Sequence, residues 1–327
     1  MPARLTVEGV VITRHMETRP GAQAASIADG AALEAMSVRG LQGAQAFLPG
    51  ANLAFVDPRR ANLAVRGIGN NPVSESFHGS VPVYLDGVYL GREGMALMGL
   101  SDLQSIALLR GPQGVLYGEN ASGGVLDIRT RAPTFKPAAR FAAGFGNRGI
   151  YRQSGDISGP LTNNLAARLS AWHAQDDGWL HNLYDGRRLD GIGRSGVRGQ
   201  LLLAGSPRWS VRAIADYGEE SDSQGALVVT GVGPPPQGYR NLKQGTAAVG
   251  APPVPPHAKN YQLSNNIPQA VSVHQGGTSI QAHVRFGSFR FASISAWRFW
   301  DYSPQEDFDH SAADVYHALG NTVRHRQ

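Results

Sequence analysis

The stretch DLQSIALLRGPQGVLYGENASGGVLDIRTRAP, residues 102–133, decides the fold. Two short β-like runs, IALLRG at 106–111 and GGVLDIRTR at 123–131, enclose a glycine-rich segment. Because glycine accepts φ > 0 and the close approach of another backbone, this segment predicts a compact domain of short strands. The positions that mark such turns or close approaches are Gly114, Gly118, Gly123 and Gly124.

A phosphate-binding loop is the rival explanation for so many glycines, but the necessary spacing is missing. Residues 111–124 contain no Gly-Lys-Ser or Gly-Lys-Thr sequence. The literal GxGxxG pattern at 144–149 is followed by another alternating segment, whereas a dinucleotide site needs a helix there. Phosphate binding is therefore not predicted.

Residues 102–133 closely resemble the end of the plug domain of TonB-dependent outer-membrane receptors, the siderophore receptors among them. The matching residues are LRGPQG at 109–114, LYG at 116–118, Asn120 and GGV at 123–125. The resemblance identifies the chain as similar to the N-terminal portion of such a receptor.

The resemblance extends to both sides of this stretch. LAVRGIGNN at 63–71 and VPVYLDGVYLGR at 81–92 look like two other plug segments, and residues 144–179 resemble the first barrel strands of the family. The plug signature positions that the resemblance implies are Arg66, Gly67, Arg110, Gly111, Pro112, Gly114, Tyr117, Gly118, Gly123 and Gly124.

The residues before this stretch complete a small domain. Residues 1–30 show no helical period and predict an extended arm. Apolar residues between Ala31 and Phe47 predict one or two short helices around Gly40, followed by β-like runs at 61–69 and 81–90. We therefore expect a small α+β plug domain over residues 31–133.

After Pro133 the pattern changes to longer alternating segments, which predict half-buried antiparallel strands. On residues 209–217, Trp209 and Tyr217 share one face with small apolar residues, while Arg212 and Asp216 lie on the other. The seven predicted strands are 138–146, 150–158, 164–175, 195–204, 208–218, 278–287 and 289–302.

The connections alternate between short turns and long loops after the first hairpin, as they do in outer-membrane barrels. The long loops are 176–194 and 219–277, and the second contains a proline-rich stretch. A soluble β-sandwich has strands that alternate equally well, so loop asymmetry and clustered aromatic residues are what favour a barrel. The aromatic residues expected to form an interfacial girdle are Trp297, Phe299, Trp300 and Tyr302.

The strand count is too small for a closed receptor. Plugged transporters have 22 strands, yet only 190 residues follow Pro137. An eight-stranded barrel is filled by its own side chains and cannot enclose a plug. We therefore expect a mixed fold, with a plug followed by an incomplete antiparallel transmembrane β-barrel over residues 134–327, in the N-terminal part of a larger receptor or a truncated relative.

The composition and motifs of the chain argue against several classes of function. The chain has 327 residues, a formal charge of +5 and no cysteine, which excludes disulfides and thiolate sites. It shows no basic run or nucleic-acid-binding motif, so no nucleic-acid partner is expected. No secretory signal is visible in residues 1–20. No HExxH, GxSxG or paired-histidine motif appears, so neither a metal site, a cofactor nor a catalytic residue is predicted. The carboxylates at 176–177, 219–222 and 306–307 are interpreted as solvated loop charges.

The resemblance also implies a function, which is the active uptake of a scarce ligand, such as an iron–siderophore complex, across the outer membrane. The segment Val10, Val11, Ile12 and Thr13 is similar to a TonB box, which pairs as an added strand with TonB in the periplasm. An ordinary edge strand is the alternative for this segment. The expected partners are TonB, outer-membrane lipid and a small ligand.

Two further readings follow from the same residues. The plug apex implied to face the ligand contains Asn70, Asn71, Phe77 and His78, with a plain solvent loop as the alternative. No bond of the ligand changes in transport, so no enzyme activity is expected. The alternatives to transport are a ligand-binding plug module and a soluble β-rich binding protein.

Overall fold

The computed structural model describes most of the chain after the first 24 residues. The described residues are 25–327 except 37, 39, 56–60, 70–78, 97–100, 224, 236, 256, 258, 260, 315–316 and 320–321.

The plug is built on a five-stranded sheet in the order β1-β6-β7-β4-β5, with a separate β2–β3 hairpin beside it. The strands are β1 (Ala25–Asp29), β2 (Ala51–Phe55), β3 (Ala61–Val65), β4 (Val83–Leu85), β5 (Val88–Leu90), β6 (Leu103–Arg110) and β7 (Gly124–Thr130). The helices are α1 (Gly30–Ala35), α2 (Leu41–Ala44) and α3 (Gly114–Tyr117), with 3₁₀ turns at Gln45–Phe47 and Glu93–Ala96.

Local chemistry explains two of these elements. Asp29 begins α1, because its side chain accepts hydrogen bonds from the backbone of Ala31 and Ala32. Asp86 and Gly87 have φ of 49° and 78°, so the run predicted at 81–90 is a tight hairpin of β4 and β5. The short helices predicted around Gly40 are also present.

The plug sheet includes residues that were predicted to belong to the extended arm. Residues 25–29 form β1, which pairs antiparallel with β6 from Ala25 opposite Leu109 to Asp29 opposite Ser105. The sequence ASIAD shows no marked alternation, so only the pairing with β6 reveals this strand. The chain therefore enters the plug sheet within residues 1–30.

The glycine predictions hold at three of the four positions. Gly118 has φ of 78°. A Cβ on Gly123 would lie 3.1 Å from Ile68, and one on Gly124 would lie 2.5 Å from the carbonyl oxygen of Leu109. Gly114 is different, because it lies in α3 with open space around it and needs neither a turn nor a close approach.

We expect Gly124→Ala to destabilise the chain by about 1–3 kcal/mol, because the added methyl group must push β6 away from β7. Gly114→Ala is the matched control, since a Cβ there meets nothing within 4 Å. Urea unfolding in detergent, followed by tryptophan fluorescence, measures both variants. Equal stability of the two variants would contradict the close-approach argument.

A second, larger sheet follows the plug along the chain. Its strands run antiparallel in the order β8-β9-β10-β13-β14-β16-β17, and β18 and β19 both pair with the free side of β17. We call this sheet the wall. The strands after the plug are β8 (Ala138–Phe145), β9 (Tyr151–Pro160), β10 (Leu165–Asp176), β11 (Leu180–Asn182), β12 (Arg188–Leu189), β13 (Ile192–Ser206), β14 (Trp209–Asp222), β15 (Gln262–Leu263), β16 (Ala270–Phe286), β17 (Phe289–Asp307), β18 (His317–Leu319) and β19 (Val323–Arg326).

All seven predicted strands are present in the wall, and there is one more. β18 and β19 pair with different parts of β17 and together occupy the place of an eighth strand, which the sequence did not predict. Among the described residues the wall is not closed, because β8 lies at one edge and β18 with β19 at the other. The incomplete barrel is therefore confirmed, with a strand more than expected.

The connections confirm the predicted asymmetry. Residues 161–164, 207–208 and 287–288 make tight turns at one end of the wall, which we call the short-turn end. At the long-loop end, residues 177–191 and 223–269 form connections that contain α4 (Leu242–Ala247) and a small sheet of β11, β12 and β15. The predicted loops are thus partly structured.

No helix among the residues described is long and apolar enough to cross a membrane.

The main core joins the plug to the wall. Ile106, Leu108, Leu126 and Ile128, from β6 and β7, are fully buried. They belong to one apolar cluster that also contains side chains of β16 and β17, such as Tyr302. Burying this apolar surface fixes the plug sheet against the wall.

Candidate functional site between the plug and the wall

The wall exposes its apolar side chains and covers its polar ones. Ile280 is 57% exposed and Phe286 is 77% exposed, whereas Gln281 between them is 7% exposed. Gln200 and Arg298 face the plug in the same way and are buried. A soluble sandwich hides its apolar face, while a membrane barrel turns its apolar face outward and keeps a polar interior. The wall therefore has the polarity of a membrane barrel.

The apolar outer face of the wall is about as tall as the apolar band of a membrane barrel. From Gly276 to Phe286 the outward residues of β16 carry no charge. Ten residues of strand span about 34 Å, which at a tilt of about 40° is a height of about 26 Å. The apolar band of outer-membrane barrels is about 25 Å tall.

Alternation divides the predicted aromatic girdle between the two faces. Trp297 is 48% exposed on the outer face, with the ring of Phe299 5.6 Å away. Trp300 and Tyr302 point inward, are buried, and stack on each other with ring centroids 5.2 Å apart. The girdle prediction is wrong for these two residues, because neighbours along a strand alternate between faces.

A buried ionic cluster ties the plug to the first three strands of the wall. Asp102, just before β6, has 1% of its side chain exposed and accepts two hydrogen bonds of 2.5 Å from Arg168 on β10. Arg140 on β8 donates to the same carboxylate at 3.0 Å. Asp156 on β9 accepts from both arginines, at 3.0 Å from Arg140 and 2.7 Å from Arg168. We call Asp102, Arg140, Asp156 and Arg168 the Asp102 cluster.

A neighbouring arginine, Arg131, links the Asp102 cluster to the plug helix α1. Arg131 lies 3.7 Å from Asp102 and forms a two-point ion pair with Glu34 of α1, at 2.7 and 3.2 Å. Glu34 is partly exposed, whereas Arg168 is almost fully buried. The strong part of the cluster is therefore the Asp102–Arg168 pair, because buried two-point ion pairs are the strongest hydrogen bonds of this kind.

Further polar contacts join the plug to the middle of the wall. Gln281 on β16 donates to the carbonyl oxygen of Asp86 at 2.5 Å, and Gln275 donates to that of Met95 at 3.0 Å. Arg212 on β14 donates to the hydroxyl of Thr130 at 3.1 Å. These bonds, unlike an apolar core, can be exchanged for bonds to water when the two surfaces separate.

The interpretation of the carboxylates as solvated loop charges was wrong for four of them, whereas Asp177 and Glu219 are exposed. Glu220 and Asp222 lie at the end of β14 and are 2% and 4% exposed. Arg194 on the neighbouring strand pairs with both, at 3.0 and 2.7 Å. Glu306 and Asp307 are likewise buried at the end of β17.

The small loop sheet has its own packing. Trp179 and Tyr261 meet edge to face with ring centroids 5.3 Å apart, and both rings are partly exposed. The indole of Trp179 also donates a hydrogen bond to Asp190. Burial raises the pKa of Asp190, and the nearby Asp176 raises it further. The loops therefore place aromatic side chains at the end of the wall opposite the short turns.

Several predicted signature residues lie at one end of the plug sheet. Arg110 donates to Ser26 Oγ at 2.7 Å and to the carbonyl oxygens of Pro49 and Ala25 at 2.9 and 3.3 Å. It thereby holds the start of β1 against the end of β6. Arg66 and Gly67 lie in the turn after β3, where both have φ > 0.

The turn after β6 contains most of the remaining signature. Gly111 donates from its amide to the carbonyl oxygen of Gly123, which closes the segment that holds Pro112 and α3. Tyr117 ends α3, and its carbonyl oxygen accepts a 2.5 Å hydrogen bond from the hydroxyl of Tyr84. Burial raises the pKa of Tyr84 to about 12, so this hydroxyl stays protonated at neutral pH.

Some predicted site residues lie outside the described residues. These are the TonB-box segment Val10, Val11, Ile12 and Thr13, and the apex residues Asn70, Asn71, Phe77 and His78. Within the described part of the chain, no group of three or more His, Asp or Glu side chains is placed to hold a metal ion.

The sequence missed the residues that join the plug to the wall. Asp102 lies inside the quoted stretch, yet its partner Arg168 is 66 positions away. The sequence did contain a usable signal, because on strands with one apolar face the polar residues at alternate positions point inward. Arg168 alternates with Leu169, and Gln281 alternates with Ile280.

The fold and this interface define a class of protein, namely a plug domain packed against the polar inner face of an incomplete, outwardly apolar β-barrel. Residues 17–125 match the family model described as TonB-dependent Receptor Plug Domain. The chain is similar to TonB-dependent outer-membrane receptors, as its sequence predicted.

Curated relatives match the plug part of the chain. The pesticin receptor of Yersinia pestis is 33% identical over 124 residues, which are 37% of this chain and 18% of that receptor. The ferrioxamine B receptor of Salmonella typhimurium is 34% identical over 99 residues, which are 26% of this chain and 14% of that receptor. The matched part thus spans less than a fifth of these relatives.

Solved structures match more of the chain. The ferric yersiniabactin uptake receptor of Yersinia pestis superposes with a TM-score of 0.72 at 24% identity, covering 86% of this chain and 42% of that one. The ferric-catecholate import receptor of Escherichia coli K12 gives a TM-score of 0.66 at 14% identity, covering 86% and 39%. At these identities the likeness shows the fold, a plug followed by antiparallel barrel strands.

Proposed function

We propose that the chain acts in TonB-dependent active transport of a scarce ligand, such as an iron–siderophore complex, across the outer membrane. The observation that carries the proposal is a plug fixed by polar contacts to the inner face of a wall whose outer face is apolar. Relatives named as receptors for ferrioxamine B and ferric yersiniabactin support the choice of ligand class. In this proposal the ligand crosses unchanged and no catalytic residue takes part.

The proposal assigns a task to each part of the chain. Residues 1–30 are the coupling arm, residues 31–133 form most of the plug, and residues 134–327 supply barrel strands. Arg110 holds the arm to β6 through Ala25 and Ser26. We propose that a pull on the arm is transmitted to the plug at this point.

The soluble alternative, a β-rich binding protein, is disfavoured by the wall itself. Burying an apolar surface is the main driving force of folding in water, yet this wall leaves large side chains such as Phe286 and Phe289 mostly exposed. A ligand-binding plug module that does not transport is the second candidate, because most residues of the main apolar cluster belong to the plug. Binding of the arm to a partner protein would distinguish the transporter from this module, which needs no such partner.

The first test is contact between the arm and TonB. A photo-cross-linking amino acid at Val11 is expected to give a product with the combined mass of this protein and TonB, because an added strand brings the two backbones within hydrogen-bond distance. The same amino acid at Ala22 is the matched control. Products of equal yield at the two positions, or none at Val11, would count against a TonB box.

The second readout is uptake. Deletion of residues 7–14 is expected to abolish the uptake of radioactive iron, while its binding at the cell surface persists. The iron is supplied as a complex with siderophores taken from the spent medium of the cells that make this protein. Deletion of residues 15–22 controls for shortening of the arm. Unchanged uptake after the first deletion would overturn the transport proposal and leave the binding module.

A further inference from the structure

One rung of the wall places three charged side chains on its inner face. Arg198 of β13 lies opposite Asp216 of β14, and Asp216 lies opposite Gly277 of β16, which in turn faces Arg298 of β17. The side chains of Arg198, Asp216 and Arg298 are 8%, 10% and 6% exposed. Two guanidinium groups therefore share one carboxylate where little water reaches them. We call Arg198, Asp216 and Arg298 the charged rung.

Arg298 occupies the carboxylate of Asp216. Its two terminal nitrogens donate to the two oxygens of Asp216 at 2.7 and 3.0 Å, which is the geometry of a strong two-point ion pair. Gly277 makes this pair possible, because a Cβ there would lie 2.9 Å from Cγ of Arg298. The arginine side chain can therefore cross β16 at the glycine and use both oxygens of Asp216.

Arg198 has no comparable partner. Its Nε lies 3.9 Å from Asp216, which is too far for a hydrogen bond, and this nitrogen is buried. Within the described part of the chain, the Arg198 side chain donates no hydrogen bond. A guanidinium has five N–H donors, and removing them from water without an acceptor is costly. Arg198 therefore needs an acceptor from outside the described chain.

A cavity lies next to Arg198, between the wall and the plug. Its volume is about 30 Å³, which holds about two particles of the size of water. The plug side is lined mainly by apolar side chains, such as Met95 and Leu103. Both arginines of the charged rung line the cavity, and among the described lining residues Asp216 is the one carboxylate. The lining thus carries one positive charge in excess.

Unpartnered polar atoms of the lining residues show which kind of ligand fits. Three are N–H donors, namely Nε of Arg198, Nε of Arg298 and the indole nitrogen of Trp172. One is an acceptor, the side-chain oxygen of Gln275. A water molecule can satisfy the acceptor, but water alone does not offset the excess charge. An anion next to a water molecule matches both the donors and the charge.

We propose that this cavity binds a monatomic anion, namely chloride, as the counter-charge of Arg198 at the interface between the plug and the wall. Phosphate, with its five heavy atoms, exceeds a space for about two water-sized particles. The inference requires the plug to pack against the wall, but it requires neither transport nor TonB. Its failure therefore leaves the transport proposal standing.

Crystals give the direct test. The protein is purified in detergent and crystallised with sodium bromide as the only halide salt, because bromide replaces chloride and is located by its anomalous scattering. We expect one bromide within about 4 Å of the Arg198 guanidinium, the usual limit for an ion pair. A cavity that contains water alone would overturn the proposal.

Stability in solution shows whether the site fills at ordinary salt. Urea unfolding in detergent is compared in sodium chloride and in sodium gluconate of equal ionic strength, since gluconate is too large for the cavity. We expect the ratio of folded to unfolded protein to be about tenfold higher in about 0.2 M chloride, as for a dissociation constant of about 20 mM. A bromide in the crystal without this salt effect would mean binding at crystal concentration only, which would also overturn the proposal.

Two variants separate the anion from other effects of charge. Arg198→Gln is expected to remove the chloride dependence, and it should fold because Arg298 and Asp216 remain paired. Arg140→Gln is the matched control and should lose stability equally in both salts, because Arg140 lies on the same inner face but is bonded to the carboxylates of the Asp102 cluster. The same chloride dependence in Arg198→Gln as in the wild type would contradict the proposal. If the Arg198 variant does not fold, the bromide position and the salt effect on the wild type still decide the result.

Discussion

Replacing Asp102 with alanine is expected to lower the free energy of unfolding by about 3–5 kcal/mol, since this is the usual cost of removing one partner from a buried ion pair. Only 3% of the Arg168 side chain is exposed, so its guanidinium would remain buried with Asp156 as its carboxylate partner. Arg140 would also lose the bond that reaches from the wall to the plug.

Urea unfolding in detergent, followed by tryptophan fluorescence, measures this loss. Glu34→Ala is the matched control, because it also removes a carboxylate from an arginine of the same region, but at a side chain that is 44% exposed. Such an exposed pair contributes about 0–1 kcal/mol. If Asp102→Ala costs no more than Glu34→Ala, the Asp102 cluster does not hold the plug to the wall.

The interface between the plug and the wall combines an apolar core with polar bonds. Apolar side chains of the main core fix the plug sheet, while bonds such as Gln281 to Asp86 and Arg212 to Thr130 orient it. Water can replace each of these bonds, so separating the surfaces costs less than their number suggests. The Asp102–Arg168 pair is the exception, because both charges leave water on folding.

The local patterns of the sequence predicted the elements that local chemistry determines. Alternation over 209–217 marked β14, because Trp209 and Tyr217 are exposed on one face while Arg212 on the other face bonds to the plug. The turn at Asp86 and Gly87 and the helix beginning at Asp29 also depend on neighbouring residues. The wall strands and the short helices of the plug were therefore predictable.

The missed features depend on contacts between distant residues. β1 is a strand because β6, about 80 positions later, offers it a free edge. Trp300 is inward while Trp297 is outward, which only the register of β17 determines. Carboxylates such as Glu220 are typical of loops in sequence, and Arg194 on the adjacent strand makes their burial possible.

The orientation of the wall leads to the second large expected effect. Ile280→Arg is expected to cost about 2–4 kcal/mol of folding free energy in lipid vesicles, because it places a charge near the middle of the apolar band. Ile280 is 57% exposed, and its register partners Ala213 and Ser295 offer no counter-charge. The fraction of protein that folds in the vesicles, read from heat-dependent mobility on a gel, measures the effect.

The control lies on the same strand and the same face. Ser272→Arg introduces the same charge eight residues nearer the long-loop end, about 20 Å higher, where the cost in a barrel falls to about 0–1 kcal/mol. In a soluble sheet both positions would be exposed sites that change stability by no more than about 0.5 kcal/mol. A large loss of stability at Ile280 with little change at Ser272 therefore requires lipid on the outer face of the wall. Two small changes would instead show that water contacts this face, and the transport proposal would lose its main support.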